Sequence, residues 1–145
     1  MSTPAPPATH AQLLERPLFA HLATARPDGA LQSSVMWYAW DGEFIRFTHT
    51  TTRQKYRNLT HQPVVALSIA DPDNPYDSLE VRGEVVSIEP DPDGRFYRRL
   101  QERYGLDYPI TDADVRVVVT VRPTTFVPVT GGYTEREAAA ARDAT

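Results

Sequence analysis

Residues 48–59 read Thr-His-Thr-Thr-Thr-Arg-Gln-Lys-Tyr-Arg-Asn-Leu, a run of hydroxyls followed by three cations, Arg53, Lys55 and Arg57. One of the threonines is a natural N-cap, and Tyr56 and Leu59 are spaced for the inner face of a helix over 53–61. That helix would carry its cations in the first turns, where the macrodipole disfavours them. Arg53 and Arg57, four residues apart, also repel by a few tenths of a kcal/mol. An anion at the helix start adds attractive terms that offset these costs. Free N–H groups, threonine hydroxyls and a pair of cations together make a phosphate site. The competing reading is a solvated or salt-bridged helix start. On a regular helix Arg53 and Lys55 do not share one direction, so not all three cations face one ligand.

Lys55 is the only lysine among the 15 basic residues, the other 14 being arginine. A GC-rich genome accounts for the arginines, and the single lysine calls for a reason of its own. Other chemistries find little support. The chain has no cysteine, which excludes disulfides, thiol nucleophiles and zinc-thiolate sites. His10, His21, His49 and His61 lack metal-ligand spacing, so no metal is expected. Ser33 and Ser34 have no triad around them. The Asp-Pro-Asp pieces at 71–73 and 91–93 lack the terminal acid of a calcium loop and read as turn formers and a helix cap.

The elements that would position this segment are mostly strands. Leu18–Thr24 is an apolar run closed by Pro27-Asp28-Gly29, and Leu31–Trp40 follows as a strand covered on both faces. Asp41-Gly42 signals a hairpin into Glu43–Thr48. Beyond the helix, Pro63 opens Val64–Ala70, and Ser78–Glu89 alternates, with Leu79, Val81, Gly83 and Val85 on one face. Asp91–Gly94 starts a second helix with Phe96, Leu100 and Tyr104, stopped by Gly105. Val115–Val121 is the last strand, with Phe126–Val129 extending it past Pro123. This order predicts a mostly-β fold, a six-stranded antiparallel barrel with short flanking helices.

The 145 residues suit one domain. We expect a loose arm over residues 1–10, a core over 11–130 and a tail over 131–145. With 19 acids against 15 bases the net charge is −4, so the basic footprint of a nucleic-acid binder is missing. No apolar run approaches a membrane span and no signal-peptide core is present, which makes the cytoplasm the expected location.

Several pieces fall in a familiar order: Ala23-Thr24 ending the first strand, Pro27-Asp28-Gly29, a polar–aromatic second strand and Asp41-Gly42. Arg53-x-Lys55-x-x-Asn58-Leu59, Pro63 opening a strand and a mid-strand Gly83 complete it. The chain so read, over roughly residues 11–130, resembles the split β-barrel flavin and deazaflavin oxidoreductases, the superfamily that includes pyridoxamine 5′-phosphate oxidase. The similarity is closest to the branch that binds the deazaflavin coenzyme F420. It implies that Arg53 and Lys55 hold the cofactor phosphate with Asn58 nearby, and that Gln32, Ser34, Val35 and Met36 line the ring. It also implies a homodimer with the cofactor at the subunit interface, which Tyr76 would reach from the other chain. Trp37, Tyr38 and Trp40 become candidates for a substrate pocket or the dimer core. The activity so implied is transfer of hydride from reduced F420 to a small-molecule acceptor, with a proton from Tyr38, Ser34 or water. The alternatives are an FMN-dependent oxidoreductase, with pyridoxamine phosphate oxidation less favoured for want of a second basic cluster, and a non-catalytic carrier of F420 or haem.

Overall fold

The computed structural model describes residues 4–130. Seven strands form one antiparallel sheet: β1 (Ala20–Ala25), β2 (Leu31–Met36), β3 (Ala39–Trp40), β4 (Ile45–Thr50), β5 (Val64–Asp71), β6 (Asn74–Pro90) and β7 (Arg116–Thr130). Their order across the sheet is β2-β1-β5-β6-β7-β4-β3. Three α-helices interrupt them: α1 (Gln12–Glu15), α2 (Gln54–His61) and α3 (Arg95–Arg103).

The two edge strands, β2 and β3, are joined by Trp37 and Tyr38 alone. Met36 and Ala39 are three residues apart, and three residues span at most about 11 Å. The sheet must therefore curl until its edges nearly meet, without hydrogen-bonding there: a barrel split along one seam. Tyr38 lies in that seam, wholly buried. The end of α3 fills it. The Tyr104 hydroxyl accepts from Tyr38 N at 3.1 Å and donates to Leu18 O at 2.5 Å, while Arg103 donates to Tyr38 O at 3.0 Å and to Leu14 O at 3.1 Å.

Period-two alternation builds the core. Ala20 and Leu22 of β1, Ile45 and Phe47 of β4, Val65, Leu67 and Ile69 of β5 and Val117, Val119 and Val121 of β7 all point inward and are buried. Two bulges shape the long β6–β7 pair, where Val86 and Thr124 each lack an opposite residue. Gly83 sits beside the second. A Cβ there would lie 2.7 Å from Arg122 O and 2.8 Å from Val121 Cγ1, so only glycine lets the two backbones approach. Pro123 is accommodated because the pairing of β7 with β4 reaches only to Val121, opposite Ile45 at the start of β4.

The sequence-based expectation of six strands differs from the seven observed because the apolar run over residues 31–40 is broken at the seam into β2 and β3. The strand expected from Glu43 begins at Ile45 instead. The Asp41 carboxylate accepts from Glu43 N at 2.8 Å and Phe44 N at 2.7 Å, drawing both into the turn. The expected arm is anchored at its end: His10 is buried, with Nε2 3.2 Å from Val129 O. The tail over 131–145 lies outside the described residues. No described helix is long and apolar enough to cross a membrane.

Candidate functional site

Where β2 ends, β4 ends and α2 begins, a cleft of about 280 Å³ opens. Phe19, Val35, Met36 and Trp37 line it from the β1–β2 side, Thr48 and His49 from β4, and Arg53 and Lys55 from the start of α2. Tyr97, Tyr108 and Arg116 complete it.

No threonine caps α2. Its N-cap is Arg53, in extended conformation (φ −103°, ψ 158°), with no side-chain capping bond. Thr50 and Thr52 instead bring their hydroxyls within 3.1 Å of each other. This departure lets Arg53 and Lys55 share the cleft, because helical spacing does not apply to a residue outside the helix. Arg57 is exposed and donates to Gln54 Oε1 at 2.9 Å, away from the other two.

Lys55 is only 7% exposed, and its Nζ stands over the Phe47 ring at 5.9 Å. Among the described residues neither Lys55 nor Arg53 forms a salt bridge. Burial, and next the charge of Arg53, push the Lys55 ammonium down to about 8. His49 is 6% exposed, and its Nε2 is buried without a hydrogen-bond partner. Burial, then Lys55, Arg53 and Arg116, hold it down to about 3, so the ring is neutral. Arg116 is balanced: it donates to both Asp112 carboxylate oxygens at 2.9 Å and stacks over Tyr97 at 4.0 Å. At the rim the Tyr97 and Tyr108 hydroxyls are 2.6 Å apart, and burial with that contact raises Tyr108 to about 12.

Of the residues singled out from sequence, Val35, Met36, Trp37, Arg53 and Lys55 meet in this cleft. The others lie elsewhere. Asn58 is fully buried beneath α2, its Nδ2 donating to Thr24 Oγ1 at 3.0 Å and Gln32 Oε1 at 2.9 Å. Its Oδ1 accepts from Gln54 Nε2 at 2.9 Å. Gln32 and Asn58 thus tie β2 to α2 rather than line the cleft. Ser34 sits further along β2, half-buried. Tyr38 is in the core, its hydroxyl donating to Leu13 O at 2.6 Å, and burial raises its pKa. Tyr76 is 62% exposed near the start of β6, and Trp40 packs edge-on against Phe126. Thr48 belongs to the threonine run that the sequence offers for a phosphate, whereas Phe19, His49, Tyr97, Tyr108 and Arg116 carry no site role in the sequence reading. For His49 a signal exists, since it continues the inward row of Ile45 and Phe47.

The geometry defines a split-barrel protein with a cationic cleft at its seam. The family model for pyridoxamine 5′-phosphate oxidase matches residues 6–128, and the chain belongs to that family. The solved structure of an F420 reductase is 57% identical, with a TM-score of 0.82, over 83% of this chain and 98% of that one. A conserved hypothetical protein from Mycobacterium tuberculosis is 25% identical with a TM-score of 0.69, over 88% of this chain and 86% of that one. General Stress Protein 26 from Bacillus anthracis, at 16% identity and a TM-score of 0.65, covers 86% of this chain and 93% of its own and shares the fold. No curated protein matches the chain.

Proposed function

We propose that this chain binds coenzyme F420 and serves as a reductase, passing hydride from the reduced coenzyme to a small-molecule acceptor. The observation that carries the reading is Lys55, a buried ammonium beside a second cation, with no anion against it among the described residues, at the wall of an open cleft. Burying an unpaired charge is costly, and a bound phosphate removes the cost. The residues present therefore fit a phosphate-bearing cofactor. Arg53, exposed at the mouth, and Lys55, buried in the wall, grip the anion from two directions. The 57% identical F420 reductase supports the deazaflavin over FMN.

When bound, the coenzyme supplies the hydride; the protein binds, orients and shields it. Phe19, Met36 and Trp37 offer an apolar and aromatic wall against which a planar ring packs. Trp37 is held in place by stacking on Tyr104, centroids 4.9 Å apart. The proton for the acceptor comes from water or from the Tyr97–Tyr108 hydroxyl pair, since Tyr38 and Ser34 do not line the cleft. The reading includes a homodimer: Phe19 and Val35, over half exposed at the cleft, are the surface a second copy would cover.

The test is a fluorescence titration with F420 and, in parallel, with FMN, on the native protein and on Arg53→Ala/Lys55→Ala. The native protein is expected to prefer F420, and the double variant to lose about 100-fold or more in affinity, as removal of two charge-assisted contacts implies. Unchanged affinity in the variant overturns the phosphate assignment. A preference for FMN replaces the deazaflavin reductase with a flavoenzyme.

A further inference from the structure

We infer that His49 is a ligand-binding residue of the cleft: an imidazole whose N–H donates to a phosphate oxygen of the bound molecule. This rests on the reading of the cleft as a phosphate site.

The placement comes from β4. Its inward row runs Ile45, Phe47, His49, and the last member stands where the core gives way to the cleft. The first two are apolar and fill the interior. At the third position the imidazole leaves Nε2 buried with no partner among the described residues. An unpartnered buried polar group costs about 1–3 kcal/mol, so the fold alone does not ask for histidine here.

Nε2 is closed off on the inner side, and the nitrogen open to the cleft is Nδ1, which bonds to none of the described residues; its surroundings define what satisfies it. Lys55 faces the ring from α2, Arg53 from the extended residue before it and Arg116 from the neighbouring β7, with Thr48 and Tyr97 also at the cleft. Asp112 is engaged through both oxygens by Arg116. The ring is thus uncharged, with one N–H to donate and one lone pair. A molecule attracted by those cations is an anion, rich in acceptors, and takes the N–H. Rotation of the ring by 180° exchanges nitrogen and carbon positions without altering its shape, so either edge presents a nitrogen to the cleft. His49 so adds a directional bond without adding a fourth charge to a site already dense in cations.

The experiment compares His49→Phe, His49→Gln and Arg53→Ala/Lys55→Ala with the native protein. It reads thermal midpoints without ligand, affinities for F420 and for inorganic phosphate, and the imidazole nitrogen NMR signals. His49→Phe is expected to keep or raise the ligand-free midpoint while weakening both ligands about tenfold or more. Gln, which retains an N–H donor, is expected to recover part of the loss. Inorganic phosphate is expected to shift the His49 nitrogen signals while the ring stays neutral. A His49→Phe variant that binds normally, one whose midpoint falls with no recovery by Gln, or a ring that protonates on binding overturns the inference. If the Arg53/Lys55 double variant loses affinity and His49→Phe does not, only the role of His49 fails. If the double variant binds normally, the phosphate reading fails with it.

Discussion

Lys55 is held where its charge has no partner among the described residues, and its stability contribution therefore depends on pH. The unfolded chain titrates this amine at 10.5 and the folded one at about 8. Between those values the unfolded state binds more protons, so stability rises with pH. Below 8 the folded protein carries the full penalty of the buried ammonium. Lys55→Met is accordingly expected to be more stable than the native protein at pH 7, by up to a few kcal/mol, with the advantage vanishing near pH 10.5. Urea denaturation of both proteins at a series of pH values checks it. The same amine must be protonated to hold a phosphate. F420 affinity is therefore expected to fall above about pH 8, by as much as tenfold per unit, in titrations that leave Lys55→Met flat. At this scale the sequence was legible where residue type alone spoke, as with a single lysine beside Arg53 at a helix start. His49 escapes that reading because the strand expected to end at Thr48 stops one residue before it, the last member of the inward row.

The elements hold the cleft through polar ties that alternation does not reveal. Asn58 joins β1, β2 and α2 through Thr24, Gln32 and Gln54, and nothing in the pattern of α2 marks it as buried rather than facing a ligand. Asn58→Ala removes three hydrogen bonds and strands their partners, an expected loss of roughly 1–3 kcal/mol. A lowered denaturation midpoint at unchanged slope would show it. Gly83→Ala is expected to cost a similar roughly 1–3 kcal/mol, since the added methyl meets backbone at the β6–β7 bulge and Arg122 O cannot swing aside as a flexible side chain would. Local chemistry made other elements legible. Asp91 accepts from Phe96 N at 3.2 Å and Tyr97 N at 3.1 Å, the helix cap that its position before Gly94 implies. The break between β2 and β3 was not legible. Trp37 and Tyr38 continue an apolar run, and only the need of a curled sheet to cross its own seam divides it.

At the scale of the whole molecule, the seam that makes the cleft also leaves an edge uncovered. The β2 strand, Leu-Gln-Ser-Ser-Val-Met, carries no charge, and its outer face shows Leu31 at 80% exposure and Val35 at 57%. Edge strands of proteins that remain alone are usually guarded by charge, proline or a bulge. Here Leu31 instead borders an apolar groove with Ala23, Ala25 and Val64, which is itself half exposed. Such a surface fits a second copy of the chain. The protein is expected to sediment at twice the mass of one chain at micromolar concentration. Leu31→Glu/Val64→Glu is expected to sediment as a monomer. Because both side chains already face solvent in the single chain, its thermal midpoint should drop only by the contribution of the interface. Neither residue lines the cationic cleft, so weakened F420 binding in that variant would place part of the site on the partner. A native protein that sediments as a monomer with full F420 affinity would instead make the cleft sufficient by itself and leave Phe19 and Val35 to serve the ligand alone.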